Sequence, residues 1–130
     1  MGFSVERLSD EPVVIVTASD NIRSDIEDSK AISFHISHLF HQERGPIYRI
    51  NDIRLVNWDI DALHKFVCDD EVNAEFPAPS QIHHLVVCRQ ELIDQINDNG
   101  QKQIPGLRLY HTLQDAFTFI YNEFVMRGIL

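Results

Sequence analysis

Two runs of consecutive apolar, largely β-branched residues constrain this chain most: Val13-Val14-Ile15-Val16 and Leu85-Val86-Val87-Cys88. Neither alternates with polar residues, and both are far too short to cross a bilayer, so each reads as a strand buried on both faces. Between and around them lie stretches with helical spacing. Strands alternating with helices imply a largely parallel sheet joined by helical crossovers. A length of 130 residues fits one domain spanning 1–130.

Phe3 to Arg7 alternates weakly, and Ser9-Asp10-Glu11-Pro12 supplies turn chemistry before the strand from Pro12 to Thr17. An antiparallel hairpin is the simplest reading. Ser24 and Glu27 form a capping box opening a helix that runs to about Arg44, where Gly45-Pro46 stops it. Its expected core stripe is Ile22, Ile26, Ser29, Ser33, Ile36, Leu39 and Phe40, with Ile32 at the edge. A strand follows from Ile47 to about Ile53. Tyr48 and Ile50 share one face while Ile53 and Leu55 share the other, so the phase switch at Asn51-Asp52 marks a bulge or strand end. Asn57 or Asp59 can cap a second helix carrying Ile60, Leu63, Phe66 and Val67, and Asp69 to Gln81 reads as a connecting loop. The remaining elements are a strand from His84 to Arg89, a short helix from Glu91 to Asn97, and a strand from Leu107 to His111. Last comes a helix capped by Thr112 and Asp115, with Leu113, Ala116, Phe117, Ile120 and Phe124 on one face.

With 11 Lys+Arg against 20 Asp+Glu, the net charge is −9. A chain this acidic, with scattered basic residues, lacks the phosphate-neutralising patch that nucleic acid requires, and anionic membranes repel it. No basic stretch leads into an apolar run at the start, and the Ser or Thr that the myristoylation pattern requires after Met1-Gly2-Phe3-Ser4-Val5 is missing. Two cysteines, Cys68 and Cys88, make no disulfide framework and no CxxC pair. The expectation is a reduced, cytoplasmic protein without membrane insertion, and Cys88 reads as a small buried thiol.

The chemistry-bearing patterns are sparse. His35, His38 and His41 repeat every three residues on the first helix, but the outer two lie about 120° apart around the axis. No further ligand set accompanies them, so no metal and no cofactor are expected. No GxSxG, HExxH, GxGxxG or GxxxxGK[ST] is present, and no nucleophile–base pair or catalytic residue is assigned. A phospho-receiver would need an acidic pair after its first parallel strand and a Lys after its last. Thr17-Ala18-Ser19-Asp20 and Tyr110-His111-Thr112 supply neither. Phe34 falls on the outer face of the first helix near His38, and Phe119 and Met126 fall off the main stripe of the last. These four are the candidate dimer or contact surface, backed by the apolar tail from Val125 to Leu130. Asp69-Asp70-Glu71 places negative charge where the second helix should end, an exposed acidic loop with no assigned role.

The residues Gly45-Pro46-Ile47-Tyr48-Arg49-Ile50-Asn51-Asp52-Ile53, then Asn57-Trp58-Asp59-Ile60-Asp61-Ala62-Leu63, resemble a strand ending in Asp-Leu and the loop into a switch helix. Tyr110-His111-Thr112-Leu113-Gln114-Asp115-Ala116-Phe117 is similar to a terminal strand, Thr cap and Ala-containing helix. With the element order β-β-α-β-α-β-α-β-α, these resemble the STAS domain of anti-sigma-factor antagonists, in particular the divergent SpoIIAA-like group. The resemblance implies an α/β fold of about five strands, mostly parallel with an N-terminal antiparallel hairpin, and about four helices. It implies a non-catalytic regulatory module that binds a protein partner through Asn57, Trp58, Asp59 and Asp61. In regulatory members a Ser at the start of the second helix is phosphorylated. Trp58-Asp59-Ile60-Asp61-Ala62-Leu63 holds no Ser or Thr. Asp59 or Asp61 can supply a fixed negative charge there, or simply stabilise the helix start. The contrasting expectation is a small hydrophobic ligand or lipid carrier of STAS/SEC14-like type, with Phe34, Phe40, Trp58, Phe66 and Phe76 lining a pocket under the first helix.

Overall fold

The computed structural model describes residues 3–8, 11–19, 26–40, 47–59, 62–63, 82–99 and 108–126. Strands β1 (Phe3–Arg7), β2 (Val13–Ala18), β3 (Ile47–Asp52), β4 (Ile82–Val87) and β5 (Arg108–Tyr110) form one sheet. Helices α1 (Ile26–Leu39), α2 (Gln90–Asn99) and α3 (Leu113–Met126) pack on it. β1 pairs antiparallel with β2, and every later pair is parallel. This is the expected sheet. Three helices are described against about four expected. Ala62 and Leu63 are helical, and the rest of the expected second helix lies outside the described residues. So do the Ser24 cap, His41, the acidic cluster at Asp69, Cys68 and the residues after Met126.

The strands lie in sequence order, β1 to β5, so each parallel crossover moves one place in the same direction. Parallel crossovers are right-handed, which puts the connecting elements on a single sheet face. The packing agrees. Ile32, Ile36 and Phe40 of α1, Leu63, and Leu92 and Ile96 of α2 share one core with Val14, Val16, Ile47, Val86 and Cys88. The opposite face, with Val13, Tyr48, Ile50, Leu85 and Val87, is covered by Ala116, Ile120 and Phe124 of α3. Every residue of β3 is buried, as a strand covered on both faces requires.

One helix face differs from expectation. Ile32, placed at the stripe edge by its spacing, is fully buried, whereas Leu39 is 37% exposed. The row that meets the sheet is Ile32, Ile36, Phe40, at i, i+4 and i+8, and Leu39 lies about 60° off its centre. Its carbonyl instead accepts a hydrogen bond from the Arg7 guanidinium at 3.1 Å. The expected strand end near Asn51-Asp52 is observed: β3 stops at Asp52 and the chain turns.

Candidate functional site

β3 and β4 deliver their carboxyl ends side by side, and the Ile53 amide extends the ladder to the Val87 carbonyl at 2.9 Å. Beyond them the chain must turn sharply. Asp52 makes that turn: one carboxylate oxygen accepts from the Arg54 amide at 3.2 Å and from Arg54 Nε at 2.9 Å. Its second oxygen accepts from the other arm of the guanidinium, also at 2.9 Å. This fork geometry raises the Arg54 pKa above its ordinary value, chiefly through the hydrogen bond to Asp52. Arg89, just past β4, donates from Nε to the Arg54 carbonyl at 3.0 Å. Two strand ends are thereby tied into one rigid corner.

That corner presents the expected partner-binding residues. Asn57 and Asp59 are exposed and Trp58 is half-buried. Asp59, rather than Asn57, caps the following helical residues: Oδ1 accepts from the Ala62 amide at 2.9 Å, and its carbonyl accepts from the Leu63 amide at 3.1 Å. Asp61 lies outside the described residues. Two neighbours join the site without having been picked out by sequence reasoning. Leu55 is 59% exposed on the turn itself, and Arg54 stands beside it. The signal for Arg54 was the Asp-x-Arg spacing at the strand end, which suits an Asx turn closed by an ion pair.

A cleft of about 110 Å³ runs under the corner, lined by Val56, Trp58, Cys88, Arg89, Glu91 and Leu92 among others. Small-molecule sites usually occupy about 300–1,000 Å³. Large crevices at strand carboxyl ends open where the strand order reverses, and this order does not reverse. Cys88, at the cleft base, is buried as expected, and burial pushes its thiol pKa up to about 11. Such a thiol stays protonated and is a poor nucleophile. His84 lies four residues back on the same strand face, roughly 13 Å away by strand rise. Burial first, then the charge of Arg49, holds its pKa down at about 3.

The four contact residues do not form one surface. Phe34, 55% exposed, stacks on His38 on α1, with ring centroids 6.4 Å apart. Phe119 and the 84% exposed Met126 belong to α3, across the sheet. Phe119 is partly covered within the chain, with the Arg108 guanidinium 4.3 Å above its ring and Tyr110 beside it. Nor do Phe34 and Phe40 line a shared pocket: Phe40 is in the core, and Phe34 faces out. Among the described residues no three His, Cys, Asp or Glu side chains gather to hold a metal, and no helix is long and apolar enough to cross a membrane.

No protein-family model and no curated protein sequence matches the chain. Among solved structures it is similar to the crystal structure of an anti-sigma factor antagonist from Mycobacterium paratuberculosis, with 22% identity over 92% of each chain and a TM-score of 0.52. The likeness shows the fold that the sequence resemblance implied: the chain is built on the STAS-like α/β architecture of an anti-sigma factor antagonist.

Proposed function

We propose that this chain is a non-catalytic, STAS-like regulatory module of the reducing cytoplasm that captures a protein partner through Asn57, Trp58, Asp59 and Asp61. The observation that carries the reading is the corner after β3. It is fixed by the Asp52–Arg54 fork and the Arg89 strut, yet it exposes Leu55, Asn57 and Asp59 over a cleft too small for most ligands. A rigid scaffold presenting exposed loop residues is the usual layout of a recognition surface. By the family resemblance, Asp59 or Asp61 places a carboxylate near the position where regulatory STAS members carry a phosphorylatable Ser, so partner binding here would need no kinase.

The test is capture of partner proteins by wild type, by Asp59→Lys with Asp61→Lys, and by Asp59→Asn. Asn caps a helix as well as Asp does. The reversal should abolish capture of the specific partner, and the cap-preserving Asn should weaken it while leaving the melting temperature unchanged. Capture indifferent to all three substitutions would remove the site.

A second reading keeps the hydrophobic ligand but moves it. A groove of about 390 Å³ lies between the hairpin and α3, lined by Leu8, Val13, Phe117, Ile120, Tyr121 and Phe124, with Glu11 at its rim. Its size suits a small apolar ligand. Native mass spectrometry of freshly purified protein decides this: a retained mass released by Ile120→Trp supports it, and a bare chain refutes it.

A further inference from the structure

β1 is the edge strand of the sheet, and among the described residues no strand pairs with its outer side. Which backbone groups face outward follows from two hydrogen bonds. The Leu8 amide donates to Val13 across the hairpin at 3.0 Å, and the Tyr48 amide donates to Pro12 on β2's other side at 2.9 Å. Antiparallel strands alternate between bonded and non-bonded pairs. Glu6 and Ser4 therefore turn their amides and carbonyls toward β2, as Leu8 turns its amide, and Phe3, Val5 and Arg7 turn theirs to the outer edge.

Exposed edges are normally blunted by Pro, by Lys or by a bulge. β1 has none of these, and its register with β2 runs unbroken from Phe3↔Ala18 to Arg7↔Val14. Arg7 does not guard the edge either. Its guanidinium is drawn inward over the Phe40 ring at 4.5 Å, with Nε donating to the Glu11 carbonyl at 3.0 Å. Beside the strand, α1 carries an aromatic row continuous with it: Phe3 meets His35 at 6.4 Å, His35 meets Phe34 at 6.1 Å, and Phe34 stacks on His38.

We infer that β1 pairs antiparallel with β1 of a second copy about a two-fold axis at Val5, with the Phe34 rows of the two copies packing alongside. A two-fold interface must be self-complementary, and this strand is. With Val5 opposite Val5, Phe3 meets Arg7 of the second copy, so all outward amides and carbonyls of those residues are paired. Glu6 then stands opposite Ser4. A two-residue slip one way would set Glu6 against Glu6 across a close, non-bonded pair, a repulsive arrangement. Charge and hydrogen bonding thus choose the same register. The strand alone, roughly 17 Å long, offers little area. A stable dimer buries about 800 Å² per partner, so the α1 row is a required part of the contact.

The test is sedimentation of the full chain over a concentration series, with residue-resolved amide exchange. Wild type should reach twice the monomer mass. On dimerisation the Phe3, Val5 and Arg7 amides should slow by at least about ten-fold, while Ser4 and Glu6 stay unchanged. Val5→Pro removes an outward amide and no β2 hydrogen bond, so it should give a folded monomer; Phe34→Ser should raise the dissociation constant at least about ten-fold. A monomer at every concentration would overturn the proposal. So would a dimer untouched by both substitutions, or one broken instead by Tyr121→Asp at the α3 groove.

Discussion

His84 stands beside Arg49 in the strand register and is largely buried, so its imidazole is held neutral down to about pH 3, against 6.5 when free. As pH falls below 6.5 the unfolded chain takes up this proton and the folded chain does not. The contribution is therefore complete above pH 6.5 and is lost progressively toward pH 3, with a slope of up to about 1.4 kcal/mol per pH unit. Urea unfolding across that window should show His84→Gln less acid-sensitive than wild type. Parallel curves would contradict this origin. Asn51 is the other buried polar anchor, accepting from Arg49 Nε at 2.6 Å and donating to the Leu85 carbonyl at 3.1 Å. Asn51→Leu removes both of these buried hydrogen bonds and should cost about 3 kcal/mol, read by the same unfolding curves. Cys88, with its pKa near 11, should react with a disulfide reagent at neutral pH roughly 10²-fold more slowly than an ordinary thiol, measured in a Cys68→Ser background. Full speed without denaturant would mean that the core opens there.

At the scale of elements, the caps are where local chemistry is most easily measured. The Asp115 amide donates to Thr112 Oγ1 at 3.1 Å, so Thr112→Ala should lower stability by about 1 kcal/mol, whereas Thr112→Ser should be nearly silent in thermal unfolding. This cap, the hairpin and the parallel strands were legible because each depends on neighbours in sequence: Thr-x-x-Asp, a turn cluster, runs apolar on both faces. The row Ile32, Ile36, Phe40 was legible only in part. Spacing identifies a helical face, but Arg7 and the hairpin decide how α1 is rotated on the sheet. The split between Asn57 and Asp59 as caps could not be read at all. Both are good capping residues, and the choice depends on how far the Asp52–Arg54 turn carries the chain. Arg89 bracing Arg54 across 35 positions is likewise a product of parallel pairing, invisible to spacing.

The whole molecule is asymmetric about its sheet. Among the described residues α1, Leu63 and α2 pack on one face and α3 covers the other, as consecutive strand order with right-handed crossovers requires. That asymmetry separates Phe34 and His38 from Phe119 and Met126, and it opens the groove beside Tyr121. Sequence could mark Phe34, Phe119 and Met126 as out of place on their helices, but only topology tells which share a surface. The net charge of −9 acts at the same scale. Two copies repel at long range, and screening falls to about 8 Å at physiological salt, so added salt should strengthen self-association. The opposite trend is expected for a basic partner at Asp59. Partner recognition at the corner after β3 is the central claim, and site-specific photo-crosslinking addresses it directly. A photoreactive residue at Asn57 should trap a discrete partner that a probe at Asn122 on α3 does not, and the adduct should fade in Asp59→Lys. Equal trapping at both positions, or an adduct indifferent to Asp59, would contradict the account.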